Sequence, residues 1–488
     1  MKMNNKIKWM FLLGAVFMVT LPVHALAGKV YKLGLSLAIT GPTSDAGNPY
    51  SKGVEDYFNF VNDTKMLGDD KIECMIRDDQ YNNDITKRNF EDFVSQGIVF
   101  YLNYSTGSTL ALKKDFEEEK IPVLPASFHA GNLTDSNYIF LPIASYSAQA
   151  IGLAEYIVKT HQGGTPKVAL FIHPSAFGRG PVEDLQKAVK AGLKMEIVEV
   201  VEHGKDLDNS AMLKRLLSKG VQYVISQTVQ SPVATMLKDA ASLGLTAKTF
   251  GEVGKLTFLG CHYTGGNDLV ALAGPAAENF YWTTSYIVTN EPSAGATAQL
   301  DLAKKYNRDE KAANSHNYAN GMMVAQVATE VIKRAKAKGK EINKANLYEE
   351  LLAMNGDKAF SPGTTVGPVT FSKTDHAGVD SLQLYVVKDG LFRSTGTPFY
   401  TGLHGQDKIK GDKECDLVRV YRDSLFRAFA VIGFGGAEEE SQLILAPAWS
   451  IAGFLQSAAP WKLKELRINW KSIISKWYIM ILSRFCAA

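Results

Sequence analysis

Short apolar runs alternate with amphipathic helical stretches twice over along this chain, with a break near residues 142–148. In the first series, residues 31–39 form an apolar run typical of a buried strand, which Gly41 and Pro42 bring to an end. The next stretch has helical apolar spacing, with Ser51 as its predicted N-cap. Repeated strand–helix units predict a parallel sheet covered by helices on both faces. Because a single sheet of about ten twisted strands would be unusual, the pattern predicts two sheets, in two lobes.

Residues 1–27 have the three parts of a secretory signal peptide. Lysines lead into an apolar stretch over residues 9–19, and residues 25–27 read Ala-Leu-Ala, a small-x-small cleavage pattern. The apolar stretch is shorter than the ~20 residues that span a bilayer. We therefore expect cleavage before Gly28 and a mature protein in the periplasm.

Composition and motifs exclude several function classes. The formal net charge of +3 over 488 residues, without a run of basic residues, does not indicate a nucleic-acid partner. The sequence lacks GxSxG, HExxH and GxxxxGK[ST] motifs, so we expect no enzyme. Its cysteines have no metal-ligand spacing, so no metal or other cofactor is expected. Buried free thiols are expected for the first two of the four, which are Cys74, Cys261, Cys415 and Cys486.

Two loops with polar side chains follow predicted strands. Free N–H groups at a helix start and neighbouring hydroxyls suit an anionic group, although the same residues are typical of a helix cap. Both loops follow the carboxyl ends of strands, where open α/β sheets bind ligands. The first loop contains Ser105, Thr106, Gly107 and Ser108, and the second contains Ser127, Phe128 and His129.

The alternation of predicted strands and helices stops at about residue 403. Beyond it the segments are short, apolar and irregular. Three interpretations of residues 403–488 stay open: an extra subdomain, a partner-binding appendage, or the product of an altered reading frame. Four of the six tryptophans lie in this segment: Trp449, Trp461, Trp470 and Trp477.

Several landmarks in residues 29–402 occur in the order typical of one family. Together they resemble the type I periplasmic binding proteins of the branched-chain amino-acid group. The resemblance implies an α/β fold of two lobes, each a parallel sheet flanked by helices, joined by three crossover segments. The landmarks are Leu37–Pro42 followed by Gly53, then Ile121–Pro125, Phe177–Gly180 and Leu272–Glu278.

The resemblance also implies a function and a division of the chain. The implied function is capture of a small organic ligand between the lobes and its delivery to the permease subunits of an ABC-type importer. A ligand-sensing subunit for a membrane receptor or regulator is the alternative. Crossovers are expected near Ala144, Ser285 and Phe360. Lobe 1 would then contain residues 28–144 and 286–360, and lobe 2 residues 145–285 and 361–402.

Ligand contacts follow from the same resemblance. The first lobe of such proteins holds the ligand carboxylate, at positions that match Ser105–Ser108 and Ser127–His129. The second lobe closes over the ligand with an aromatic residue, matched by Phe177. Its nearby loop contributes Gln227 and Gln230.

One departure from the family pattern concerns the ligand ammonium. Amino-acid binders of this group carry an acidic residue where this chain has Cys261, His262 and Tyr263. A buried ammonium without a paired charge is costly. We therefore expect a carboxylate or an amide rather than a zwitterionic amino acid, with His262 and Tyr263 as contacts.

Overall fold

The computed structural model describes residues 28–204, 208–400, 429–432 and 444–447. The predicted signal peptide, most of residues 403–488, Cys415 and Cys486 lie outside the described residues. Cys74 and Cys261 carry free thiols, and Cys261 is fully buried. Within the described residues no helix is both long and apolar enough to cross a membrane.

A four-stranded parallel sheet covered by helices forms the first lobe. Its strands are β1 (Val30–Leu37), β2 (Lys71–Asp78), β3 (Phe100–Asn103) and β4 (Val123–Pro125), in the order β2-β1-β3-β4. The intervening helices are α1 (Ser44–Asp63), α2 (Asn83–Ser95), α3 (Thr106–Ala111) and α4 (Lys113–Glu119).

The second series begins after β5 (Leu141–Ile143) and forms the second lobe. Its first elements are α5 (Tyr146–Thr160), β6 (Lys167–Ile172), α6 (Ala176–Lys190), β7 (Glu196–Glu202), α7 (Asn209–Ser218) and β8 (Tyr223–Gln227). It continues with α8 (Gln230–Ser242), β9 (Thr257–Gly260), α9 (Asn267–Ala273) and β10 (Tyr281–Thr284).

The chain then returns to the first lobe before it completes the second sheet. The elements that return to the first lobe are α10 (Ala294–Lys305), α11 (Glu310–Asn314), α12 (His316–Ala337), α13 (Lys344–Leu352) and β11 (Ala377–Val379). The strands that complete the second sheet are β12 (Ser381–Lys388) and β13 (Leu391–Tyr400). Short 3-10 turns cover Ala130–Asn132, His262–Thr264, Gly274–Ala277 and Gly356–Lys358. The second sheet has the order β13-β12-β10-β9-β8-β6-β7, parallel except where β12 pairs with its two neighbours. Two sheets flanked by helices confirm the predicted fold class.

Helix α1 begins at Ser44, well before the predicted cap at Ser51. Ala46 and Tyr50 are fully buried and extend the apolar face of the helix toward its start. Thr43 occupies the cap position in a left-handed conformation, and its side chain makes no capping hydrogen bond. Tertiary burial therefore lengthens the helix beyond what local capping signals indicated.

Helices α1 and α12 approach each other through two glycines. A Cβ on Gly53 would lie 2.1 Å from the carbonyl oxygen of Tyr318, and one on Gly321 would lie 2.0 Å from that of Tyr50. Real Cβ atoms do not come this close to backbone atoms. The absence of a side chain at these positions thus sets the helix separation, and with it the position of the loop that precedes α1.

Residues beyond Phe360 still pack on the first lobe. Val369, Phe371 and Val379 belong to the same buried cluster as the core of the first sheet, and β11 pairs with β5. This packing favours a third crossover next to β12 over one at Phe360. The other lobe boundaries stay predictions.

A truncation tests whether the two-lobed fold needs the C-terminal segment. Both sheets are complete at the end of β13, the last strand of the second sheet. We expect a mature chain ending at Leu403 to unfold cooperatively at the temperature of the full chain, as measured by circular dichroism. Aggregation, or a broad transition at lower temperature, would place residues 404–488 in the fold.

Candidate functional site

A narrow cleft, partly open to solvent, lies at the carboxyl ends of strands from both sheets. This is the position at which open α/β sheets bind ligands. The lobes also touch at its edge, where Ser231 Oγ donates to Asp45 Oδ2 at 2.6 Å. The lining residues are Thr43, Tyr81, Tyr104, Ser105, Thr106, Ala126, Tyr146, Phe177, Val229 and Tyr263.

The predicted hydroxyl loops meet at the first-lobe side of the cleft. Ser105 and Ser108 share a hydrogen bond of 2.6 Å between their Oγ atoms, and Thr106 Oγ1 lies 2.7 Å from Ser127 Oγ. Asn103 donates to Ser108 Oγ at 3.1 Å. The hydroxyls are therefore already bonded to one another, which fixes their positions. Ser105 and Thr106 line the cleft, whereas Gly107 faces the side chain of Asn83 outside it.

The residues of the second predicted loop support the cleft wall but do not line the cleft. Ser127 accepts hydrogen bonds from Asn132 at its Oγ (3.1 Å) and its backbone oxygen (2.9 Å). Phe128 is fully buried and lies parallel to the ring of Tyr263, with centroids 5.9 Å apart. Phe128 is thus placed behind the cleft wall.

His129, the last predicted residue of this loop, is not among the residues that line the cleft. Its Nδ1 accepts from the N–H of Gly131 at 2.9 Å, which leaves the proton of the neutral ring on Nε2. Burial lowers the pKa of His129, so the neutral form is favoured. The ring packs against Gly180 of α6, and the two lobes meet there. As a ligand contact His129 stays a prediction.

Four buried aromatic residues form the walls of the cleft. Tyr146 and Phe177 pack edge to face at 5.3 Å between centroids, and Phe177 and Tyr263 do so at 5.8 Å. Burial raises the pKa values of Tyr104, Tyr146 and Tyr263 well above the ordinary phenol value. The phenols therefore stay neutral and act as apolar walls with polar tips.

Tyr263 connects the lobes. It follows β9 of the second sheet, yet its hydroxyl donates to the backbone oxygen of Ala126 at 2.6 Å, beside β4 of the first. The same hydroxyl accepts from Asn320 Nδ2 of α12 at 2.9 Å. The predicted contact Tyr263 is thus both a cleft wall and an interlobe hydrogen-bonding group.

The two predicted glutamines face neighbouring backbone. Gln227 donates to the backbone oxygen of Phe177 at 3.2 Å, which supports that aromatic wall. Gln230 begins α8 and donates to the backbone oxygen of Gly265 at 3.3 Å. Neither lines the cleft, and Val229 between them does.

His262 is fully buried behind Tyr263. The backbone N–H of His262 donates to Gln149 Oε1 at 2.8 Å, and the ring Nδ1 lies 2.9 Å from Thr284 Oγ1. Burial lowers its pKa well below the ordinary value, with a smaller contribution from His316. The ring is therefore neutral. It also does not line the cleft. As a ligand contact His262, like Gln227 and Gln230, stays a prediction.

The structure brings together several lining residues that the sequence analysis missed. Each follows the carboxyl end of a strand, and this position is the signal that could have found them. Tyr81, for example, follows β2 and packs at 6.1 Å against His173 of the second lobe. Those missed are Thr43, Tyr81, Tyr104, Ala126, Tyr146 and Val229.

The lining is neutral. Among the described residues that form it, none is Asp, Glu, Lys, Arg or His. The described residues also contain no cluster of three or more metal-ligating side chains. The cleft therefore offers aromatic area, hydroxyls and backbone groups, and no fixed charge.

Comparison with known proteins identifies the family. A family model described as "Periplasmic binding protein" matches residues 30–391. This chain belongs to the periplasmic binding protein family. The match covers both lobes and confirms the resemblance predicted from the landmarks. Members of this family are solute-binding proteins.

Three individual proteins are similar to this chain. A branched chain amino acid ABC transporter protein from Thermus thermophilus, solved with bound valine, is 44% identical, with a TM-score of 0.73 over 78% of this chain and 98% of that one. The leucine-, isoleucine-, valine-, threonine- and alanine-binding protein of Pseudomonas aeruginosa is 23% identical over 59% of this chain and 74% of that protein. A fatty acid ABC transporter substrate-binding protein from Thermomonospora curvata, 19% identical with a TM-score of 0.66 over 77% of this chain and 93% of that one, shares the fold.

Proposed function

We propose that this chain is a periplasmic solute-binding protein that captures a small organic molecule between its lobes and delivers it to the permease subunits of an ABC-type importer. The observation that carries the proposal is the neutral, aromatic-walled cleft at the strand ends of both sheets. The hydroxyls of Ser105 and Thr106 pair with those of Ser108 and Ser127 and not with a base. The cleft is thus suited to binding without chemical change of the ligand.

The lining favours a ligand with an apolar body and a carboxylate or amide. Hydroxyls and backbone N–H groups near Ser105, Thr106 and Ser127 can bind acceptor oxygens. An α-ammonium would bring a second charge and three donors into a lining without a carboxylate, and that desolvation costs several kcal/mol. The aromatic walls suit a branched aliphatic or aromatic body.

A branched-chain amino acid is the second candidate. The relative from Thermus thermophilus is 44% identical over nearly its whole length and has valine bound. If this chain binds valine too, acceptors in the cleft must replace the acidic residue expected by family resemblance. Backbone oxygens such as that of Ala126, which already accepts from Tyr263, would be required for this.

A thermal-shift screen with matched compounds separates these candidates. Valine, isovalerate and isovaleramide share one branched carbon skeleton and differ in their polar groups. A ligand at 100 times its Kd stabilises the folded state by about 2.7 kcal/mol, enough to raise the Tm by roughly 3 °C. We expect isovalerate or isovaleramide to raise the Tm at millimolar concentration and valine to raise it less. A rise with valine alone would contradict the proposed ligand class and establish the second candidate.

A further inference from the structure

Thr43 is the lining residue whose hydroxyl has no partner. Of the polar side-chain atoms that described residues contribute to the cleft, its Oγ1 is the one buried from solvent without a hydrogen bond. The residue is 8% exposed. The hydroxyls of Ser105 and Thr106, in contrast, are bonded to Ser108 and Ser127. A buried hydroxyl left unpaired is unfavourable, and the cleft is where a partner can sit.

The backbone holds Thr43 in an uncommon conformation. Its φ is 63° and its ψ 11°, in the left-handed region that a β-branched residue rarely adopts. Its carbonyl oxygen accepts from Tyr104 Oη at 3.0 Å and from the N–H groups of Ala46 at 3.1 Å and Gly47 at 3.0 Å. These three bonds fix the residue at the start of α1. Since glycine or asparagine would fit this backbone with less strain, the hydroxyl is the feature that distinguishes threonine here.

We propose that Thr43 is a specificity-determining residue whose hydroxyl binds a second, neutral polar group of the ligand. The inference rests on the proposed function and narrows its ligand class to small hydroxy acids. The acid end is held near Ser105 and Thr106, and the ligand hydroxyl exchanges a hydrogen bond with Thr43 Oγ1. A neutral hydroxyl needs one partner and no counter-charge, which matches a lining with one unpaired hydroxyl and no carboxylate.

Two probes and three variants test this assignment. The probes are isovalerate and α-hydroxyisovalerate, which differ by one hydroxyl, and binding is measured by titration calorimetry. Thr43→Val keeps the shape and the β-branching and removes the hydroxyl, while Thr43→Ser retains it. Thr246→Val is the matched control, because Thr246 Oγ1 is also buried without a partner but lies outside the cleft.

We expect Thr43→Val to change the relative affinities of the two probes. The natural chain binds α-hydroxyisovalerate about tenfold more tightly than isovalerate, the value of one good hydrogen bond in a dry site. Thr43→Val removes that difference, whereas Thr43→Ser and Thr246→Val retain it. The ligand-free Tm of Thr43→Val is equal to or above that of the natural chain, because an unpaired buried hydroxyl has been removed.

Several results would overturn the assignment. Equal weakening of both probes by Thr43→Val would mean that the hydroxyl serves the shared acid group or the packing. A lower ligand-free Tm than that of Thr246→Val would mean that Thr43 has a partner within the protein. If isovalerate binds and α-hydroxyisovalerate binds no better, this inference fails while the proposed function stands. If neither probe binds and valine does, both the ligand class and this inference fail.

Discussion

Replacing Tyr263 by phenylalanine is expected to weaken ligand binding roughly a hundredfold. The change removes one oxygen and leaves the ring in place against Phe128 and Phe177. In the closed protein, Nδ2 of Asn320 loses its partner, and the backbone oxygen of Ala126 keeps only the longer bond from Tyr146 Oη at 3.4 Å. Leaving a buried donor or acceptor unpaired costs about 1–3 kcal/mol. Because opening of the lobes lets water satisfy these groups, most of the penalty falls on the closed, ligand-bound state.

A matched variant separates closure from general stability. Tyr223→Phe also deletes a phenolic hydroxyl, one that bonds to His161 Nδ1 at 2.9 Å within the second lobe. We expect this control to lower the Tm without changing the Kd measured by titration calorimetry. Small-angle scattering of Tyr263→Phe should show a smaller fraction of compact protein at a given ligand concentration. Equal Kd values for Tyr263→Phe and the natural chain would show that the interlobe bonds do not contribute to closure.

Replacing Gly321 by alanine is expected to lower the free energy of unfolding by about 3 kcal/mol, within the upper range for overpacked cores. Two effects compete. Alanine is better than glycine inside a helix by roughly 1 kcal/mol. The new Cβ, however, would lie 2.0 Å from the backbone oxygen of Tyr50, an atom that cannot rotate away. The helices must therefore separate, and the facing contact of Gly53 with Tyr318 is disturbed as well.

Urea unfolding of Gly321→Ala and Gly164→Ala provides the comparison. Gly164 has no heavy atom within 4 Å of an added Cβ, and its backbone is not left-handed. The control should therefore stay within ~0.5 kcal/mol of the natural chain. A stabilised Gly321→Ala would show that helix propensity outweighs the contact and that α1 and α12 can move apart freely.

Local patterns in the sequence were sufficient for the two series of strands and helices. Apolar runs and helical spacing depend on neighbouring residues, so the order of elements could be read directly. Strand ends likewise placed Ser105 and Thr106 at the cleft, whereas Phe177 and Tyr263 followed from the family resemblance. The family landmarks added the connection between two lobes, which spacing alone does not provide.

Only the tertiary structure decided which strand-end residues line the cleft. Thr43, Tyr81 and Tyr146 line the cleft because three separate strand ends come together, whereas the ring of His262 lies behind Tyr263 with its Nδ1 bonded to Thr284 Oγ1. The start of α1 and the packing of Phe371 on the first lobe depend in the same way on distant partners. Burial and long-range hydrogen bonds select among orientations that are locally equivalent. For this protein the sequence by itself determined the fold and the region of the site, and lobe packing determined the side chains that form it.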